Sequence, residues 1–302
     1  MLAFRRKAEF GQYGPWTPAF AGVTLDQGTC LLFCGGLVCE SLGVAMSSVN
    51  LIPSLRDLRF LLAAALALLA CSACHRGDPD KLWEIVHGEC VPDQHEHGAP
   101  APCALVDLAE GEQRGYALLK DINGPYQYLL IPTGRVGGIE SPELLAADAP
   151  RYFAAAWEAR SFVEQGYGKP LPREALSLAI NSVYGRSQNQ LHIHIDCVRS
   201  DVREALRAQL PRIGVSWAPL DVPLGGHHYR AMRLSEERFM QLNPFALLGN
   251  PADGAEMGRH TLVAVGATFE DGTPGFVLLD DRADLWRLDR GHGEELQSHR
   301  CS

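Results

Sequence analysis

The chain has 302 residues, 46% hydrophobic and 21% charged, with a formal net charge of −9. This supplies enough apolar material for a sizeable core, read as one composite globular domain once a leader is set aside. The acidic balance and the lack of any Lys/Arg-rich run exclude a surface built to coat nucleic acid, because phosphate-backbone binding needs clustered positive charge.

In chain order, the first feature is an uncharged apolar run from Phe60 to Cys74, preceded by Arg56 and Arg59. It has the composition of a signal h-region or membrane anchor. It is shorter than the about 20 residues that span a bilayer comfortably, although Leu55 and Leu58 extend it. Leu68-Leu-Ala-Cys71 is similar to a lipoprotein cleavage box. Lipoprotein and uncleaved anchor remain alternatives, and both place residues from about 75 onward in the periplasm, fixed to the bacterial inner membrane. Met46 reads as the start of a conventional leader, and residues 1–45 as a translated extension ahead of it. A second membrane segment around Leu31 to Val44 is weakened by Glu40 and several glycines. The expected division is therefore 1–45 extension, 46–78 signal or anchor, and 79–302 catalytic domain.

Nine cysteines occur, and five of them (30, 34, 39, 71 and 74) fall in the leader region, leaving Cys90, Cys103, Cys197 and Cys301. An even remainder behind a leader is what an oxidising compartment favours. Cys90 and Cys103 bracket Val91 to Pro102, a Pro/His-rich stretch without apolar period, expected to be a loop closed by a disulfide. The rival zinc cage with His95 and His97 is weaker because no Cys-x-x-Cys pair occurs among the four cysteines after the leader. Cys197 and Cys301 are open between a second bridge and a small buried hydrophobe at Cys197.

The downstream elements follow from periodicity. Gly115 to Lys120 and Tyr126 to Pro132 predict a hairpin about Asn123-Gly124. Residues 141–165 predict a helix capped by Ser141 with Pro142 in its first turn. A short helix at Pro172 to Leu176 leads into a strand ending at Asn181. A helix from Asp201 to Leu210 is expected to be capped by Ser200 or Asp201. Strands follow at His228 to Leu234, Thr261 to Thr268 and Gly275 to Asp280, the last two joined by Glu270-Asp-Gly272, with helical turns at Ser235 to Met240 and Asn243 to Leu248. The pattern is α+β with a mixed or antiparallel sheet flanked by helices.

The most chemical segment is Gln188-Asn-Gln-Leu-His-Ile-His-Ile-Asp-Cys197. On a strand, Leu191, Ile193 and Ile195 share one face while His192, His194 and Asp196 share the other. The two imidazoles lie about 6.5–7 Å apart along the strand, close enough to serve one phosphate or one metal. A pair of satisfied buried histidines is the bland reading.

With Leu178-Ala-Ile-Asn181-Ser ahead and Val198-Arg-x-Asp-Val202 behind, this segment resembles the histidine triad superfamily. Within it, the segment is similar to the bacterial CDP-diacylglycerol pyrophosphatases, over roughly residues 80 to 300. Leu82-Trp83, Cys90-Val-Pro92, Ala101-Pro-Cys103 and Tyr128-Leu-Leu-Ile-Pro132 fit as well. The resemblance implies a HIT-like fold, with His192 on the first histidine of the signature, His194 on the second, nucleophilic one, and Gln188 on its Gln. Asn181, eleven positions before His192, falls where a phosphate-contacting amide stands. The third histidine is replaced by Asp196, whose main-chain carbonyl is expected to orient His194.

The expected reaction is hydrolysis of CDP-diacylglycerol to phosphatidate and CMP through a cytidylyl-histidine at His194, with no cofactor and no metal. His192 serves the leaving group or a phosphate oxygen, while Asn181, Gln188 and Asn189 hold the substrate. Lysines are few, at 7, 81, 120 and 169. Lys120 and Arg186 are the cations to test against the phosphates. Two other classes stay open. One is an exported zinc hydrolase using His192, His194 and Asp196 with His227, His228 or His260; the other is a lipid-binding lipoprotein without catalysis. The oligomeric state is not legible.

Overall fold

A computed structural model describes residues 77–249 and 254–301, together with four short strands nearer the N-terminus. The chain divides into two units, Met1–Leu69 and Ala70–Ser302. In the first, Val23–Leu25 pairs antiparallel with Gly28–Cys30, and Leu32–Phe33 with Gly36–Leu37. The expectations for residues 46–76 lie outside the described residues. Among the described residues no helix is long and apolar enough to cross a membrane.

The second unit is α+β, built on one ten-stranded antiparallel sheet. Its strands are β1 (Leu105–Asp107), β2 (Tyr116–Lys120), β3 (Tyr128–Pro132), β4 (Leu176–Ile180), β5 (Ile193–Val198), β6 (Ala218–Pro219), β7 (Arg230–Ser235), β8 (His260–Thr268), β9 (Pro274–Arg282) and β10 (Gln297–Ser298). The order across the sheet is β6-β7-β9-β8-β4-β5-β3-β2-β1, with β10 also on β5. β3 pairs with Ile193 to Ile195, and β4 with residues 194–197 on the other side. β10 pairs with Cys197 and Val198, taking over the edge of β5 where β3 leaves it.

Period-two alternation decides which way β5 faces. Leu191, Ile193 and Ile195 are buried in the main core with Leu118, Leu130, Leu178 and Ile180. That core is covered by helices α2 (Tyr152–Glu158) and α3 (Arg160–Tyr167), which bring in Phe153, Trp157 and Val163. On the other face the apolar residues split into two smaller clusters. One gathers Ala179, Val263, Val277 and Leu279 under α4 (Ser200–Gln209); the other gathers Ala117, Leu119, Leu129 and Ile131 under the N-terminal helix α1 (residues 81–97). The histidine row lies between them.

Three local expectations are corrected. The stretch after Cys90 is not a loop: Lys81–Ile85, Val86–Cys90 and Val91–His97 run on as a helix with a π-turn in the middle. Leu82, Val86 and Cys90, four apart, are its buried stripe, Pro92, which has no N–H to donate, follows directly on the π-turn, and Gly98 ends it in the left-handed conformation. Residues 141–165 are not one helix. A 3-10 turn at Pro142–Leu145 stops, Pro150 intervenes, and α2 and α3 follow, because proline has no N–H to donate and disfavours the helical region for the residue before it. α4 has Arg199 at its N-cap and no side-chain cap, in place of Ser200 or Asp201. The two hairpins and the Ser235 cap, which accepts from the Arg238 N–H, stand as expected.

Both cysteine pairs are bridged, Cys90 to Cys103 and Cys197 to Cys301. The second fastens the segment after β10 to the histidine strand.

Candidate active site

His192 and His194 are both buried, and their rings meet edge to face with centroids 4.9 Å apart. The Nδ1 of His192 is 2.7 Å from the Gln190 carbonyl, which can only accept, so the Nδ1–H donates and Nε2 is left for other work. Nδ1 of His194 is 2.6 Å from the side-chain amide of Gln127, one residue ahead of β3. Its Nε2 lies 3.0 Å from a carboxylate oxygen of Glu294 but without hydrogen-bond alignment.

Burial pushes the His194 imidazole down to about 3, with nearby His299 and His292 adding to the effect. His192 is pushed down to about 4, by burial first and then by His194. Both rings are therefore neutral at ordinary pH, which is the form in which an imidazole is a nucleophile or a base.

Asn181 continues β4 toward this point. Extending the β4–β5 register, in which Ala179 faces His194, sets Asn181 opposite His192. Its Oδ1 accepts from the Glu294 N–H at 3.3 Å, joining strand end, C-terminal segment and histidine pair. Lys120, at the end of β2, donates to the carbonyls of Asp121 and Gly124 and acts electrostatically on Asp196. The turn it holds packs on the C-terminal segment: a Cβ on Gly124, whose φ is 65°, would stand 2.6 Å from the Cβ of His299. Arg186 forms a two-pronged ion pair with Glu140 and leaves its Nε buried without a partner, close enough to His192 to disfavour its protonation.

Other expected residues are placed elsewhere. Gln188 accepts from the Leu82 N–H and donates to the Asp78 carbonyl, and the Asn189 N–H donates to the Pro79 carbonyl while the residue is exposed. The two pin the start of the N-terminal helix and do not reach the histidine rings. Gln190, fully buried, bonds the backbone at 132, 134 and 136 and supplies the carbonyl for His192. The Asp196 carbonyl accepts from the Ser177 hydroxyl, so the Gln127 side chain takes the orienting place expected of that carbonyl. The Asp196 carboxylate accepts from the Cys197 N–H and pairs with His299 Nδ1 at 3.0 Å; burial raises it to about 6 against those two bonds.

Gln127, Glu294 and His299 were missed by the sequence reading, since no motif marks them and each arrives through a long-range contact. Among the described residues, two groups of three ligand-type side chains stand close enough to share an ion, Asp196–Cys197–Cys301 and His227–Asp281–Asp289. His192 and His194 belong to neither, and the two cysteines of the first are joined to each other. His260 is engaged with Asp280 at 2.7 Å. Neither group joins His192 or His194 to Asp196, His227, His228 or His260.

A pair of neutral imidazoles on a buried strand, amide-oriented and next to a carboxylate, is equipment for hydrolysis by nucleophilic and proton-transfer steps. The family comparison specifies the class: residues 77–302 match the family model "CDP-diacylglycerol pyrophosphatase", and the chain belongs to this family of hydrolases. A relative from Yersinia pestis, a CDP-diacylglycerol pyrophosphatase, is 42% identical over 254 residues, covering 82% of this chain and 95% of the relative.

Proposed function

We propose that the chain hydrolyses CDP-diacylglycerol to phosphatidate and CMP through a cytidylyl-histidine on His194, in the manner of a HIT-like enzyme. The observation that carries this is the state of His194: a ring kept neutral by burial, held at Nδ1 by Gln127, with Nε2 not committed to a hydrogen bond. A half-turn of the Gln127 amide presents its oxygen to Nδ1–H, the tautomer that leaves the lone pair on Nε2.

Nε2 attacks the cytidine-side phosphorus, a P–N bond forms, and the bond from that phosphorus to the bridging oxygen breaks with phosphatidate leaving. Water then attacks the same phosphorus, the P–N bond breaks, and CMP departs. Glu294, beside Nε2, is placed to take the proton of that water, and His192 Nε2 serves the phosphate oxygens or the leaving group. Asn181 donates from its amide nitrogen while its oxygen stays on the Glu294 N–H. Lys120 and Arg186 are cations that act electrostatically on Asp196 and His192.

The test is CMP release by wild type and His194→Ala, with acid-labile, base-stable protein label sought after brief exposure to radiolabelled substrate. Loss of about 10³-fold or more in His194→Ala is expected, together with an acid-labile phosphoramidate in the wild type. Retention of a tenth of the activity would remove His194 from the nucleophile's place. Attachment to the inner membrane by the Phe60–Cys74 segment, with the catalytic unit in the periplasm, is part of the same reading. Two disulfides support it, since such bonds persist in oxidising compartments. Protease accessibility in spheroplasts tests it; a protected catalytic unit with free thiols at Cys90 and Cys103 counts against it.

A further inference from the structure

The loops leaving β4 and β9 carry apolar side chains that packing does not account for. Trp286 is 99% exposed and Leu288 89%, with Leu285 at 52% on the same turn, and Val183 and Tyr184 are exposed on the neighbouring loop. Keeping such area in water is unfavourable, and clustering it marks a contact surface. The two loops are held side by side. The Ser182 N–H donates to the Gly291 carbonyl at 2.9 Å, the Ser182 hydroxyl donates to the Arg290 carbonyl, and Val183 and Ala283 donate to consecutive carbonyls at Gly258 and Arg259.

The tip is built. Asp284 accepts from the Trp286 N–H, closing the turn Leu285–Arg287, and Leu288 stands at φ 61°, a left-handed conformation that side-chain-bearing residues rarely adopt. Exposed Arg287 and Arg290 are interleaved with the apolar side chains, Arg287 lying 3.5 Å from Asp284. An indole and leucines beside guanidinium groups match the headgroup zone of an anionic bilayer, where rings and alkyl chains enter the interface and cations meet lipid phosphates. The chemistry lies a few residues away along both loops. Asn181 precedes one loop, Glu294 follows the other, the two bond each other, and Glu294 touches His194.

We infer that Val183, Tyr184, Leu285, Trp286 and Leu288, with Arg287 and Arg290, form a membrane-docking tip that seats on an anionic phospholipid bilayer and sets the His192–His194 site at headgroup level. The purpose of the tip rests on the lipid-substrate reading above, while its existence is testable without turnover. Full-length His194→Ala protein is reconstituted into phosphatidylcholine vesicles with and without phosphatidylglycerol, using acyl-brominated lipid as quencher. The chain has five tryptophans, so the Trp286 contribution is the emission removed by Trp286→Phe.

That contribution is expected to be quenched and blue-shifted, more strongly with anionic lipid, with the anionic preference lost in Arg287→Ser/Arg290→Ser. Because the quenching reports the depth of Trp286 itself, attachment by any other segment does not mimic it. An unquenched Trp286, or quenching indifferent to lipid charge, overturns the inference. With catalytically intact protein, Leu285→Ser/Leu288→Ser should raise KM for vesicle-borne substrate by about tenfold or more and leave hydrolysis of a dispersed short-chain substrate unchanged. Equal effects on both substrates overturn it. A chain that releases no CMP at all refutes the proposed function and leaves the quenching result to decide the docking tip.

Discussion

The side-chain amide of Gln127 stands 2.6 Å from Nδ1 of His194, so the ring's orientation is set by the residue just ahead of the neighbouring strand and not by its own strand. Replacing that amide should therefore cost turnover more than binding. Gln127→Leu is expected to lose about 10² in kcat with KM little changed. Gln127→Glu, which can still accept from Nδ1–H, should recover part of the rate and move the acid limb of the pH profile upward, since an adjacent carboxylate favours imidazolium. Wild-type kcat in Gln127→Leu would show that the contact is packing alone.

Asp196 stands where a third histidine is expected, yet its carboxylate is spent on the Cys197 N–H and His299. Asp196→Ser should fold, lose about 1–2 kcal/mol of stability with those bonds, and keep most of its activity. Loss of activity with a native circular dichroism spectrum would give the carboxylate a direct chemical role.

The buried histidines make stability depend on pH. His192 and His194, held near 4 and 3 against about 6.5 in the unfolded chain, bind fewer protons when folded. Their contribution is thus complete above about pH 6.5 and lost as pH falls toward the folded values, roughly 2 kcal/mol each by pH 5. Asp196, raised to about 6, works in the opposite sense and offsets about 1 kcal/mol of this. Urea midpoints at pH 7.5 and 5.0 should show a net loss on acidification that shrinks in His192→Asn. A wild type as stable at pH 5.0 as at 7.5 would show that the rings accept protons freely.

The two disulfides should separate by function. Cys197–Cys301 closes a span of 104 residues and fastens β10, and with it the segment carrying Glu294, to β5. Cys301→Ser is expected to cost about 4 kcal/mol and also to depress kcat. Cys90–Cys103, spanning 13, steadies the N-terminal helix; Cys103→Ser should cost about 3 kcal/mol and leave kcat near wild type. Equal kcat values in the two variants would mean that β10 does not need its bridge to hold Glu294.

The alternation Leu191-His-Ile-His-Ile-Asp196 placed both faces of β5 from the sequence alone, because a period of two admits no other arrangement once one face is buried. The Asn181 strand, the Asn123-Gly124 turn and the β8–β9 pair were legible for similar local reasons. Gln188 misled: its nearness in sequence to the histidines suggested a substrate contact, while its side chain reaches back to residues 78 and 82. Glu294 and Gln127 were illegible because their meaning lies in partners 100 and 67 residues away, and no local period encodes such a contact. The helix at Val91–His97 was hidden by its proline and histidines, since its apolar stripe begins nine residues earlier at Leu82.

β5 shares one of its edges between two strands, β3 from early in the domain and β10 from far downstream. The order in which the sheet is completed therefore matters to chemistry. Hairpins β2–β3 and β4–β5 close over short loops, whereas docking β10 must close a much longer one, which is intrinsically slower. A refolding chain is thus expected to form the His192–His194 strand before Glu294 reaches its side. Secondary structure should then return before competence does, with the lag between them measuring the time the C-terminal segment takes to find its edge.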